Sequence, residues 1–136
     1  MSQVTKIHHI AVAVPDLSAA LAFWQDALGL TVDHIEEVPS QDSRVAFLPV
    51  GDGEIELVQP LSPDGSLARF VAERGGGLHH ICLEVDDIRD ALAQLKTRGL
   101  RLINEEPLEL PGRLAAFVHP KSTGGVLLEL YQLLPS

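Results

Sequence analysis

Lys6-Ile7-His8-His9-Ile10-Ala11-Val12-Ala13-Val14-Pro15-Asp16-Leu17 returns 71 residues later as Gly77-Leu78-His79-His80-Ile81-Cys82-Leu83-Glu84-Val85-Asp86-Asp87-Ile88. A second pair follows the first. Val45-Ala46-Phe47-Leu48 leads into Glu54-Ile55-Glu56-Leu57-Val58-Gln59, and Ala115-Ala116-Phe117-Val118 leads into Leu127-Leu128-Glu129-Leu130-Tyr131-Gln132. The offset is 71 at the histidines and 73 at Glu56 and Glu129, so two residues enter between them. Two copies of one unit, each with a His early and a Glu late, can pool four metal ligands about a pseudo-two-fold axis.

Each copy reads strand, helix, then further strands. Ile7–Val14 is β-rich and ends at Pro15, and Asp16 is the N-cap of a helix over 17–28. Leu17, Ala20, Leu21, Trp24 and Leu28 form its apolar stripe, with Gly29 at C′. In the second copy Leu78–Val85 is the strand, Asp86 or Asp87 the cap, Ile88, Ala91, Leu92 and Leu95 the stripe, and Gly99 the stop. Short β-type runs complete the copies: 30–33, 45–50 and 54–58, then 101–103, 114–118 and 126–131. Gly51-Asp52-Gly53 is a hairpin turn, and Lys121-Ser122-Thr123-Gly124-Gly125 is its longer counterpart, to which the two extra residues are assigned. Between the copies, Pro60-Leu61-Ser62-Pro63-Asp64-Gly65 is turn-like. Residues 66–74 form a short helix stopped by Gly75-Gly76-Gly77. The expected architecture is α+β: two tandem βαβββ modules in a curved, incomplete barrel-like sheet around a metal cavity. Module 1 spans about 6–60, the linker helix about 61–76 and module 2 about 77–132, within one domain of residues 1–136.

Composition narrows the function. At 46% hydrophobic and 21% charged, the 136-residue chain belongs with globular proteins rather than disordered ones. Half of it would bury too small a core to be stable alone, so the modules should need each other. No apolar run approaches the roughly 20 residues of a membrane span, and no signal-peptide core follows Met1. A single cysteine, Cys82, fits a reducing compartment, and the cytosol is expected. A net charge of −9 argues against nucleic acid as partner. An anionic substrate would need a local basic rim, for which Arg44, Arg113 and Lys121 are the candidates.

Strand period selects the ligands. His8, Ile10, Val12 and Val14 share one face, against His9, Ala11 and Ala13. His79, Ile81, Leu83 and Val85 share one face, against His80, Cys82 and Glu84. The large aliphatics belong under the helices, and the small or polar face suits a cavity floor. His9 and His80 therefore face the cavity, while His8 and His79 are structural. Glu56 lies opposite in parity to Ile55 and Leu57, and Glu129 to Leu128 and Leu130. Two imidazoles and two carboxylates make a first shell for a divalent cation with positions left open. A dication also removes the repulsion between buried carboxylates.

These residues resemble the vicinal oxygen chelate superfamily and, within it, the methylmalonyl-CoA epimerase family. The likeness runs from about Lys6 to Gln132. It is carried by the two His-His strands, Val45–Gly51, Glu54–Leu57, Pro60–Asp64, Glu84–Ile88 and, most specifically, His119-Pro120-Lys121-Ser122-Thr123-Gly124-Gly125-Val126-Leu127-Leu128-Glu129-Leu130. The resemblance implies His9, Glu56, His80 and Glu129 as ligands of Co²⁺ or of Zn²⁺, Mn²⁺, Ni²⁺ or Fe²⁺. It implies an acyl-CoA thioester as substrate, and interconversion of (R)- and (S)-methylmalonyl-CoA by 1,1-proton transfer through a metal-stabilised enolate. Proton transfer needs acid–base groups on both faces of that enolate, and Glu129 is the first candidate. Where some relatives place a second glutamate on the strand leading to Phe47, this chain has Val45. Gln41, Asp42, Arg44 and Glu56 are its neighbours, Gln41 and Asp42 reading as solvent loop. The stretch 105–114 is shorter than the relatives' glycine-rich loop. Arg113, Lys121 and Ser122 are the substrate-binding candidates, Lys121 and Ser122 beside a turn whose N–H groups suit an anion.

Two other functions use the same fold: a glyoxalase I-type lactoylglutathione lyase, and a metal-free small-molecule binding or resistance protein. An extradiol dioxygenase needs only three protein ligands, and the fourth is present here. Exposed sheet edges give a motive for a homodimer.

Overall fold

The structure, a computed structural model, describes residues 2–135. Its strands are β1 (Val4–Ala13), β2 (His34–Val38), β3 (Ser43–Val50), β4 (Gly53–Pro60), β5 (Gly77–Val85), β6 (Leu108–Leu110), β7 (Arg113–Val118) and β8 (Leu127–Leu133). Its α-helices are α1 (Leu17–Leu21), α2 (Ser66–Arg74) and α3 (Ile88–Thr97). The chain divides into two compact units, residues 9–79 and residues 2–8 with 80–135.

In the unit of residues 9–79 the strand order is β2-β3-β4-β1. β1 and β4 are parallel, with Ala11 opposite Glu56, and β3 is antiparallel to both β4 and β2. Helices pack on both faces. Val14, Leu17, Ala46, Leu48 and Leu57 are buried on one side with Val12, Leu21 and Trp24. Ala13, Val45, Val58 and Leu67 are buried on the other with Phe70 and Val71 of α2. The alternation along β1, β3 and β4 thus sorts residues between two helices, as a period of two requires. Asp16 caps α1, its Oδ1 accepting from the N–H groups of Ser18 (3.0 Å) and Ala19 (3.3 Å).

In the other unit β5 and β8 are parallel, with Cys82 opposite Glu129, and β7 is antiparallel to both β8 and β6. α3 covers one face, where Val85, Ile88, Leu92, Leu114, Ala116, Val118 and Leu130 are buried. Ile88 is fully buried and Leu92 nearly so, each worth about 1.5–3 kcal/mol of hydrophobic stabilisation. Cys82, Ala115 and Tyr131 are buried on the opposite face with Leu110 packed against them. Asp87, not Asp86, is the cap of α3, accepting from Asp90 N–H at 3.1 Å. The start of each module's helix is tied to that module's last strand by equivalent glutamines: Gln59 accepts from Leu17 N–H (2.7 Å) and Gln132 from Ile88 N–H (2.8 Å).

The α+β class, the two βαβββ modules and the linking helix at 66–74 match expectation, and five details do not. The helix over 17–28 is α-helical only through Leu21 and continues as a π-helix over Ala22–Ala27. Leu28 N–H there donates to Phe23 C=O, five residues back. Leu17 and Ile88 are 71 apart but Gly29 and Gly99 only 70, so the π-turn houses one residue that α3 lacks. Phe47 and Phe117 are also 70 apart, so the second module's loop before β8 is longer by three residues, not two. The strand expected at 30–33 lies at 34–38. At 101–103 a single bridge, Leu102 to Val118, replaces the expected strand. There the Asn104 side-chain oxygen takes Phe117 N–H (2.8 Å), whereas the backbone of His34 pairs with Phe47. A short polar side chain thus competes with the ladder and ends it. β6 arises from a three-residue stretch too short for periodicity to reveal.

Candidate functional site

Among the described residues, each unit carries one buried His–Glu pair, set by strand register. In residues 9–79, β1 brings His9 opposite Glu54 and Ala11 opposite Glu56. His9 Nδ1 lies 3.2 Å from Glu56 Oε2, with His9 1% and the Glu56 side chain 13% exposed. Glu54 shares the parity of Glu56, and ligand atoms of His9, Glu54 and Glu56 all lie within 4.8 Å of one another. The aromatic side of this pair is Phe47, the register partner of Glu56, which stacks on His34 at 4.3 Å. In the other unit, His80 Nε2 lies 3.2 Å from Glu129 Oε1, at 12% and 3% side-chain exposure. Glu129 is held between Cys82 and Phe117 by the two ladders, and the Phe117 ring meets His80 edge-on at 6.0 Å. The pairing recurs at equivalent positions in the two copies, through Nδ1 of His9 in one and Nε2 of His80 in the other. A carboxylate withdrawn from water needs a charged or hydrogen-bonding partner to be tolerated, and a His–carboxylate donor set of this kind suits a divalent transition ion.

The neighbouring histidines make aromatic contacts. His8 packs on Tyr131 at 4.8 Å and His79 edge-on to Phe70 at 5.0 Å. Val45 is in the apolar core with Ala13, Val58 and Leu67, so the second acid–base group must come from another position. Asp42 works as a clamp. It is the one non-glycine residue with positive φ (50°) among those described. Its carboxylate accepts from Ser62 N–H (3.1 Å) and from the Ser62 hydroxyl. A Cβ at Gly65 would press on Asp42 Oδ2, so a side chain there would push the Asp42 carboxylate out of its present place. Gln41 and Arg44 are exposed.

Arg113 begins β7 with its guanidinium 5.1 Å over the Tyr131 ring, and its Nη1 donates to Pro111 C=O at 3.2 Å. Among the described residues, two buried side-chain polar atoms have no hydrogen-bond partner, Arg113 Nε and Ser43 Oγ. Ser43 and Arg113 occupy the same place in the repeat, first in β3 and first in β7. Lys121 is exposed, and the Ser122 hydroxyl accepts from Arg101 N–H at 2.7 Å. Sequence reasoning passed over Glu54, whose signal was the same strand parity that selected Glu56.

The sequence profile described as the Glyoxalase/Bleomycin resistance protein/Dioxygenase superfamily matches residues 8–117. The chain belongs to that superfamily. Within it, the chain is 40% identical over 129 residues to the mitochondrial methylmalonyl-CoA epimerase of Homo sapiens, covering 93% of this chain and 73% of that one. It is 37% identical over 133 residues to the ethylmalonyl-CoA/methylmalonyl-CoA epimerase of Cereibacter sphaeroides, covering 96% and 99%. A variant of Streptomyces coelicolor methylmalonyl-CoA epimerase, solved in complex with 2-nitronate-propionyl-CoA, superposes with a TM-score of 0.85 at 31% identity, covering 98% of this chain and all of that one. The paired βαβββ modules are those of the superfamily, which also includes members other than epimerases. Among the described residues no helix is long and apolar enough to cross a membrane.

Proposed function

We propose that this chain is a divalent-metal-dependent epimerase that interconverts (R)- and (S)-methylmalonyl-CoA. The observation that carries the reading is the pair of buried, repeat-equivalent His–Glu contacts, in a chain 40% identical to an epimerase of that name. His9, Glu56, His80 and Glu129 together would hold the cation. When bound, such a cation supplies Lewis-acid stabilisation to negative charge developing on the thioester oxygen.

The chain's own groups move the proton. Glu129 takes the α-proton at a carboxylate oxygen, its backbone fixed by β5 and β7 on either side while its side-chain torsions remain. The electron pair left on carbon delocalises onto the thioester oxygen. Glu54, on the face of His9 and Glu56, starts as the acid and returns a proton to the opposite side of the carbon. The reverse reaction exchanges the two roles. Arg113 offers its guanidinium to the substrate carboxylate, for which a forked, permanently charged donor is well suited. The site is expected to be cytosolic and the protein a homodimer.

The test is α-proton exchange in D₂O by NMR, with protein stripped of metal and reloaded with Co²⁺. Metal-dependent exchange of methylmalonyl-CoA, abolished in His80→Ala, is the expected result. Stoichiometric metal without exchange would overturn the reaction, and turnover of the methylglyoxal–glutathione adduct in the same preparation would reassign it to a lyase.

A further inference from the structure

The core that α3 makes with its sheet is open along one side. Leu83, Ala91, Leu95 and Leu128 pack against that core yet stay only partly buried. The same four line a cleft of about 240 Å³, whose floor is Val85 and Leu130. Every wall of it belongs to the unit of residues 2–8 and 80–135. α3 contributes Ala91, Gln94 and Leu95, whose spacing of three and four puts them on one stripe, and Arg98 continues that stripe just past the helix end. Val4, at the start of β1, and Ser2 before it complete the wall. Leu128 and Leu130 flank Glu129 on β8, so the cleft lies on the opposite face of that strand from the His80–Glu129 pair.

The two ends of the cleft differ in charge. At one end Ser2 is tied to the start of α3, its N–H donating to Asp90 and its hydroxyl to Asp86 at 3.1 Å. That end is acidic. Eight residues separate Asp90 from Arg98, about 12 Å along a helix axis, and Arg98 makes the other end cationic. Among the described residues the Arg98 guanidinium has no ion-pair partner, whereas Lys96 is held by Glu105 at 3.1 Å. The repeat supplies a control. Seventy-one residues before Gln94, Leu95 and Arg98 stand Phe23, Trp24 and Ala27. Trp24 packs on the buried core of its own module, and Phe23 meets its ring edge-on at 5.4 Å. The first copy therefore places aromatic rings where the second has Gln94 and Leu95, and lacks the cation. Cleft and charge belong to one copy and are no requirement of the motif.

We propose that this cleft binds an unbranched aliphatic carboxylate, with its tail among the leucines and its carboxylate on Arg98. The volume lies just below the roughly 300–1,000 Å³ of pockets that hold drug-sized ligands, which limits the occupant to a small molecule. An extended chain of about eight carbons, joined by bonds of about 1.5 Å, covers most of the distance between the two ends. Aliphatic walls favour the tail in proportion to the apolar surface it buries. The guanidinium offers the carboxylate a forked, charge-assisted pair. Direction follows from the other end, where Asp86 and Asp90 repel a second negative charge. The site is separate from the reaction proposed above and does not depend on it.

The test is titration of the full chain with octanoate, butanoate, octan-1-ol and octylammonium, read by calorimetry and by the NMR shifts of the leucine methyl groups. Octanoate should bind about tenfold or more tightly than butanoate, because its longer tail buries more apolar surface. It should bind about fivefold or more tightly than octan-1-ol, and shift the methyls of Leu83, Leu95 and Leu128. Arg98→Ala should bring octanoate and octan-1-ol to within about twofold of each other, while Arg98→Lys keeps part of the preference. Leu95→Trp, which installs the side chain of the first copy, should abolish binding of both. Arg98 is exposed, so its variants keep the proposal testable even where a tryptophan disturbs α3. No binding to wild type, equal affinity for octanoate and octan-1-ol, or an unchanged ratio in Arg98→Ala overturns the proposal. Tighter binding of octylammonium overturns it in favour of the acidic end. Methyl shifts that follow protein concentration instead, with a doubled mass in sedimentation, overturn it in favour of a second copy of this chain on that face.

Discussion

Residues 9–79 and residues 80–135 build the same motif around a His–Glu pair at equivalent positions, yet the His engages its Glu through Nδ1 in the first and Nε2 in the second, and they differ further where a difference leaves the strands undisturbed. In the first copy the His is accompanied by two carboxylates, Glu54 and Glu56. In the second, Leu127 stands at the position of Glu54, and Glu129 is alone in its strand. Even the surface histidines diverge. The His34 pKa is raised above 6.5, first by its hydrogen bond to Asp33 at 2.6 Å, with Glu36 adding to it. That of His119 is lowered, by partial desolvation and then by the charges of Arg101 and Lys121. Duplication thus supplied a symmetric frame, and side chains at unconstrained positions supplied two different chemistries. Epimerisation benefits from this, because the two faces of the substrate carbon must be served by separate groups.

The proton-transfer asymmetry gives the largest expected effect. Glu129→Gln should lower exchange by about 10²–10⁴-fold with one enantiomer, and Glu54→Gln should do so with the other. Equal losses with both enantiomers in the Glu54 variant would remove it from proton transfer and leave it beside the metal. Stability should separate the copies next. Ile88→Ala, in the ten-residue α3, should cost about 2–5 kcal/mol in chemical denaturation. Leu17→Ala should fall at the lower end of that range, because the π-turn after α1 can shift to fill the space. The caps come after that. Asp16→Ala loses two accepted hydrogen bonds and Asp87→Ala one, so both should lie within about 0.5–2 kcal/mol and the former should be larger.

The smallest effect is the titration of the two histidines by NMR. His34 should titrate above 6.5 and His119 below it, since those are the directions of their shifts. For His34 the stabilisation is fully present below its unfolded pKa and fades as pH rises through the raised folded value. For His119 the sign reverses: falling pH protonates the unfolded ring first, and stability declines below the unfolded pKa. Asp33→Asn should return His34 toward 6.5, and Arg101→Ala/Lys121→Ala should do the same for His119.

How much of this was legible depended on what carried the signal. The His and Glu positions were readable because a strand's period of two assigns every residue to a face, and the faces of β1, β4, β5 and β8 came out as that period requires. The N-cap at Asp16 and the helix at 66–74 were readable from local chemistry. The π-turn was not, since Leu17, Ala20, Leu21 and Trp24 fit an ordinary helix and the extra residue shows only against Gly99. The loss of a strand at 101–103 was hidden because it turns on one Asn104 side chain taking a ladder partner's place. The Asp42 clamp was beyond reach for a similar reason: it is a contact between segments that local patterns treat separately.

The π-turn has a consequence for how such a molecule tolerates change. A residue inserted into a strand reverses the facing of everything beyond it, and at His9 or Glu56 that would exchange ligand for core. A residue inserted into the helix after Leu21 is absorbed within six residues, so that Gly29 still ends the turn and the following strands keep their faces. Length variation between the copies is thereby confined to a helix and a loop. The structure behaves like a frame with an expansion joint: its chemistry stays in alignment because the slack has somewhere else to go.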